Sequence, residues 1–184
     1  PTWNRINFLH ENQGALTGLA SGFSDLDKLT SGFQPADLII IAGRPSMGKT
    51  AFALNIAEYT GTEMKKTVGI FSLEMSKEQL MLRLLCSQAQ VNSHNLKTGD
   101  FSRDDWSRLM RGMQVLSDAK VFIDDSSGIT PLEMAAKARR LKSEHGLDLL
   151  IIDYLQLMRM SGRWDNRQQE ITAISRSLKE IAKE

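Results

Sequence analysis

The sequence holds one cysteine (Cys86), four prolines and two tyrosines in 184 residues, and its formal net charge is only +1. One thiol excludes an internal disulfide and a cysteine-rich zinc site. Set among Arg83, Leu84 and Leu85, Cys86 reads as a small apolar packing residue, which fits a reducing, cytoplasmic setting. A charge near zero means that composition argues for neither a nucleic-acid nor a membrane partner, so any basic surface must come from local arrangement. No apolar run approaches the roughly 18 residues of a membrane span, and the first twenty residues lack a signal-peptide core. His10, His94 and His145 are far apart and sit beside polar residues, which argues against a metal cluster. The 41% hydrophobic and 24% charged residues are those of an ordinary globular domain, not of a disordered chain.

From Leu38 onward, strand-like and helix-like stretches alternate. Leu38–Ala42 is an apolar run without alternation, as in a strand buried on both faces. Ala51–Tyr59 reads as helix and Val68–Phe71 as strand. Ser76 with Gln79 forms a capping box ahead of a helix whose face carries Leu80, Leu84 and Leu85. A further helix begins at Ser102, with Trp106, Leu109, Met110 and Met113 at helical spacing; Val121–Ile123 is strand-like. Thr130, Pro131 and Glu133 supply N-cap, first-turn proline and capping partner for a helix to about His145. Leu147–Ile152 is the most apolar strand, and the helix Arg167–Lys183 places Ile171, Ile174, Leu178 and Ile181 on one side. Such alternation predicts an α/β fold with a mostly parallel sheet flanked by helices. Before it, Gly14–Gly32 reads as loops around a short helix at Asp25–Leu29, and residues 1–13 as a partly apolar linker segment. The last helix has an apolar face to bury, so the chain is expected to be part of a longer domain whose C-terminal strands lie outside it.

Between the first strand and its helix stands Gly43-Arg-Pro-Ser-Met-Gly48-Lys49-Thr50, the G-x-x-x-x-G-K-T pattern of a phosphate-binding loop. Glycine lets successive N–H groups turn inward toward phosphate oxygens, and the following helix aims its positive end at the same anion. Lys49 adds a cation near the β- and γ-phosphates, and the Thr50 hydroxyl is a magnesium ligand. A chance match in a chain this long occurs at roughly one per cent or less, given average glycine usage. The site is therefore expected to comprise Gly43, Ser46, Met47, Gly48, Lys49, Thr50 and Ala51, with ATP and Mg2+ as its ligands.

Hydrolysis needs a carboxylate near the magnesium and another to polarise water, both at the C-terminal strand edge where parallel α/β sheets bind ligands. Glu74, Asp124 and Asp153 each follow a strand. Glu74, in "FSLEMS", is the candidate water-activating base, although an acid at a helix start is also what the macrodipole favours. Asp153 is the preferred magnesium-side acid, yet spacing alone does not separate it from Asp124. "RMSGRWDNR" (159–167) is a candidate nucleic-acid contact, with Arg159, Arg163 and Arg167 for phosphates and Trp164 for base stacking; a merely solvated loop is the plainer explanation.

With the cradle, "FSLEMS", "LLIIDYLQLM", "TGLASGFSDLDKLTSGF" and "NRQQEITAISRSLKEIAKE" in one order, the chain resembles the RecA-like motor domain of the bacterial DnaB-type replicative DNA helicases. The resemblance implies that Lys49 and Thr50 hold the triphosphate and Mg2+, that Glu74 is the catalytic base and that Asp153, not Asp124, is the second acid. It also implies a RecA-like P-loop ATPase domain over 14–184, working as a homohexameric ring on single-stranded DNA, with primase and a helicase loader as partners. The linker segment would pack on a neighbouring subunit. The family's arginine finger and phosphate-sensing loops fall beyond Glu184. Since such a finger contributes on the order of 10³ to 10⁵ in rate elsewhere, this stretch by itself is expected to bind ATP but hydrolyse it feebly. A RecA-like recombination or repair ATPase, or a nucleotide-regulated assembly platform without turnover, are the alternatives.

Overall fold

A computed structural model of the chain describes residues 16–160 and 166–184. The expected linker segment 1–13, together with Arg163 and Trp164, lies outside the described residues. Among them, three strands form one parallel sheet: β1 (Val68–Ser72), β2 (Val121–Asp124) and β3 (Leu149–Asp153), in the order β2-β1-β3. Val68 lies opposite both Val121 and Leu149, so the three strands start level and their C-terminal ends emerge on one edge. Around them run α1 (Ser24–Thr30), α2 (Lys49–Thr62), α3 (Lys77–Ala89), α4 (Ser93–Thr98), α5 (Arg103–Asp118), α6 (Pro131–His145) and α7 (Arg167–Lys183).

The central strand shows why the sheet has two covered faces. Val68 and Ile70 join Leu54 and Ala57 of α2, Leu80 and Leu84 of α3 and Leu116 of α5 in one core. Phe71 and Leu73, on the other side, join Met134 of α6, Met158 and Ile174 and Leu178 of α7 in a second. The alternation is the two-residue period of a strand with apolar side chains in both directions. Gly69 belongs to the second side, where a Cβ would come within 3.0 Å of a Leu141 methyl and 3.2 Å of one from Leu150. The apolar face of α7 is covered there, with Ile174 fully buried, and an Arg139–Glu184 ion pair at 2.6 Å fastens its end to α6.

The helix starts match their sequence signals. Ser76, Ser102 and Thr130 each accept a hydrogen bond from the backbone N–H three residues on, and the side chain there accepts in return from the cap's own N–H. The short helix α4 has no apolar periodicity to announce it. Its signals are the Asn92 side chain, which accepts from the His94 N–H, and Gly99, which closes it at φ 77°.

Three expectations are corrected. Leu38–Ala42 is not paired into the sheet, and Ile39, Ile40 and Ile41 are 46%, 63% and 44% exposed; only Leu38 reaches a core, beside Leu150 and Ile152 of β3. β-Branched residues favour a strand only where a ladder partner and a packed surface exist, and β3 leaves its outer edge without one among the described residues. Leu147–Ile152, the most apolar run, would be expected to form the most buried strand, yet the fully buried one is β1. β1 has a neighbour on each side, whereas β3 is half-buried at the margin. On α5, the buried residues are Leu109, Gly112 and Leu116, while Trp106, Met110 and Met113 are about half exposed.

Candidate nucleotide-binding site

The loop Gly43–Gly48 is exposed and runs directly into α2. Ser46 and Gly48 hold φ of 64° and 86°, so alternate residues of the turn are left-handed. This is the backbone condition for a concave nest of N–H groups. A Cβ on Gly48 would meet nothing within 4 Å, so the demand there is conformational, not spatial. At Gly43 the demand is closeness: a Cβ would lie 3.3 Å from the Lys49 side chain, which folds back along the loop. No side chain caps α2 at Gly48, which leaves its first amides directed out of the helix end.

The next two residues reach the sheet edge. The Lys49 ammonium lies 5.4 Å from the centre of the Tyr154 ring. The Thr50 hydroxyl donates to Asp153 Oδ2 at 2.7 Å. Asp153 ends β3, opposite Ser72, and its carbonyl accepts from the Leu73 N–H at 2.7 Å, so Glu74 follows at the same edge. The Glu74 side chain is exposed, with no hydrogen bond or ion pair among the described residues. Thus Thr50 and Asp153, 103 positions apart, meet beside Lys49, and Glu74 follows Leu73 at the same sheet edge. Met47 is three-quarters exposed at the loop's tip, and Ala51 is exposed in the first turn of α2.

Asp124 is occupied otherwise. Its carboxylate takes the Lys137 ammonium at 2.5 Å and the Ser126 N–H at 2.9 Å. Burial would push its pKa up, but these hydrogen bonds outweigh it and hold the carboxyl below its usual range.

Beyond Asp153, a 3₁₀ turn at Leu155–Leu157 leads to Arg159, whose guanidinium is exposed near Gly128. Arg167 is engaged inside the chain: its guanidinium pairs with Glu170 and donates to the Gln156 and Met158 carbonyls. Glu170 in turn accepts from the Met160 N–H, which ties Met160 to the first turn of α7.

Among the described residues no three His, Cys, Asp or Glu side chains cluster to hold a metal by themselves. The Thr50 hydroxyl and Asp153 carboxylate offer two hard oxygens, the kind of partial set that binds Mg2+ in company with substrate phosphates.

A left-handed glycine turn opening a helix, with a hydroxyl and a strand-end carboxylate converging beside it, defines a P-loop nucleotide-binding domain of the α/β class. Residues 18–184 match the family described as DnaB-like helicase C terminal domain. The chain belongs to that family. It is 52% identical over all 184 residues to the replicative DNA helicase DnaC of Bacillus subtilis and to the replicative DNA helicase DnaB of Geobacillus stearothermophilus. In each case it spans 40% of the relative's length. Among solved structures, a DnaB-like replicative helicase described with its primase interactions superposes with a TM-score of 0.90 at 33% identity, over 99% of this chain and 44% of that one. A second solved chain, described as an ATPase domain, superposes with a TM-score of 0.91 at 34% identity, over 98% of this chain and 65% of that one. These likenesses bear out the RecA-like reading of the fold.

Proposed function

We propose that this chain is the nucleotide-hydrolysing part of a replicative DNA helicase, using Mg·ATP to drive movement along single-stranded DNA. The observation that supports the reading is the Thr50–Asp153 hydrogen bond beside the glycine turn, which brings together a hydroxyl and a carboxylate of the kind that binds Mg2+ in company with phosphates. Backbone amides around Gly48 and the Lys49 ammonium hold the phosphate tail, while Thr50 and Asp153 would hold Mg2+. When bound, the metal neutralises charge on the phosphate oxygens. Glu74, at the same edge and without a partner among the described residues, accepts the proton of the attacking water as its oxygen bonds to the terminal phosphorus and ADP departs.

Assembly as a ring, with residues 1–13 as a linker packed on a neighbouring copy, belongs to the same proposal. Supporting it is an apolar groove of about 600 Å3 between α3 and α5, lined by Met81, Leu82, Leu85, Met113 and Leu116, chemically suited to Trp3, Ile6, Phe8 and Leu9. Primase and a loader are expected partners, and Arg159 is the expected DNA contact, aided by Arg163 and Trp164. Arg167, expected from the sequence to contact phosphates as well, is not kept as a direct contact because its guanidinium is engaged with Glu170 and the Gln156 and Met158 carbonyls.

The test is made in the full-length protein. Glu74→Gln is expected to keep Mg·ATP binding and to lose turnover and strand separation; Lys49→Ala is expected to lose binding. An assembly platform without turnover predicts no change with Glu74→Gln, and that result would refute the motor reading.

A further inference from the structure

We infer that Asp125 is a positioning residue for Glu74, acting through the main-chain N–H of Lys77. The inference rests on the proposed role of Glu74 as base. Because the Glu74 side chain has no partner among the described residues, its direction is set by the main chain of Ser72–Ser76. Most ties on that segment are local. The Ser72 hydroxyl donates to the Met75 carbonyl at 2.7 Å, and the Met75 N–H returns to Ser72 Oγ at 3.3 Å. The Ser76–Gln79 capping box satisfies the N–H groups of both its members.

The capping box leaves the Lys77 N–H, the first amide of α3, without an acceptor in its own helix. Asp125 Oδ2 takes it at 3.0 Å, from 48 positions away. Asp125 is not a loose surface acid. Its neighbour Asp124 is clamped by Lys137 of α6, which also donates to Ser126 Oγ at 2.8 Å, and Ser126 N–H closes on Asp124. The turn after β2 is thereby fixed, and it carries its carboxylate to the entry of α3. The segment bearing Glu74 is thus held at one end by β3, through Leu73 N–H and the Asp153 carbonyl, and at the other by Asp125. The first tie joins the segment to the end of β3, and the second joins it to the turn after β2.

A plain helix-stabilising role would show itself differently. The capping box already caps α3, and a carboxylate at an exposed helix start contributes modestly to stability. Positioning predicts a loss in the rate of the chemical step, with binding kept.

The experiment compares Asp125→Ala, Asp125→Asn, Lys77→Pro and the Asp125→Ala/Lys77→Pro pair in the full-length protein on single-stranded DNA, with Glu74→Gln as control. Lys77→Pro deletes the donor from the other side. Proline is tolerated at the first helical position, and Ser76, at φ −68° and ψ 155°, already has the backbone that precedes proline. Asp125→Ala and Lys77→Pro are each expected to lower kcat about 10- to 100-fold. KM for ATP and the Kd of Mg·ATP should stay within about twofold. Asp125→Asn, which keeps an acceptor oxygen, should recover most of the rate, and the double variant should be no slower than either single one. Unchanged kcat in Asp125→Ala and Lys77→Pro, while Glu74→Gln abolishes turnover, overturns the inference and leaves the base reading standing. A fall in thermal stability matching the fall in rate, without rescue by Asp125→Asn, overturns it equally. Turnover surviving in Glu74→Gln removes the base itself, and the inference with it.

Discussion

Thr50 and Asp153 are 103 positions apart and share a 2.7 Å hydrogen bond, which joins the first turn of α2 to the end of β3. Through it the phosphate loop and the strand-end acid form one unit, although the loop itself is exposed and its preceding run is unpaired.

Thr50→Ala should separate the metal from the phosphate contribution. In calorimetric titrations of ATP with and without Mg2+, the parent is expected to bind more tightly with the metal, and Thr50→Ala to lose most of that difference. Lys49→Ala should weaken both titrations together. A hydrogen bond to a charged group is worth about 1.5–3 kcal/mol at most here, so Thr50→Ala should fold with modestly reduced stability. Full Mg2+ dependence in Thr50→Ala would show that the hydroxyl is not a ligand.

Ile174, fully buried between α6 and the sheet, tests the second core. Ile174→Ala is expected to lower stability by about 2–5 kcal/mol, read from the midpoint of urea unfolding. A change below about 1 kcal/mol would mean that α7 is not docked as described.

Ile40 gives the opposite expectation. At 63% exposure, it loses little on replacement, so Ile40→Ser should change stability by no more than about 0.5 kcal/mol in this chain and reduce its self-association. A cost comparable to that at Ile174 would show that the run is paired and buried in solution.

Glu58 carries a pH signature. Burial pushes its carboxyl above the usual range; a Ser87 hydrogen bond opposes this and nearby Glu63 adds to it. One of its oxygens is buried without a partner. Since the folded chain holds the proton more tightly than the unfolded one, this group lowers stability as pH rises from the ordinary carboxylate range through the raised pKa. Glu58→Gln should therefore be at least as stable as the parent at neutral pH, with the gap closing toward pH 4. A gap that widens on acidification would contradict the sign.

Much of the site was legible because its chemistry is local. The glycine turn, Lys49 and Thr50 are consecutive, and the phosphate binding proposed for them depends on backbone geometry that glycine spacing already encodes. The capping boxes at Ser76 and Thr130 were equally local, and each helix begins where they said. The helix Ser93–Thr98 went unread because it lacks an apolar stripe, and its Asn92 cap resembles any turn residue. The choice between Asp124 and Asp153 could not come from spacing, since both end apolar strands. It turns on partners: Lys137 takes one carboxylate, and Thr50 meets the other.

The sequence by itself determined the alternation of elements, the phosphate turn and the places where helices start, because these follow from torsional preference and from hydrogen bonds spanning three or four residues. Tertiary structure decided which apolar run was buried and which acid faced the cradle. Burial needs neighbours on both sides, which β1 has and Leu38–Ala42 lacks, and a carboxylate's role depends on which distant cation, hydroxyl or amide the fold brings within 3 Å of it.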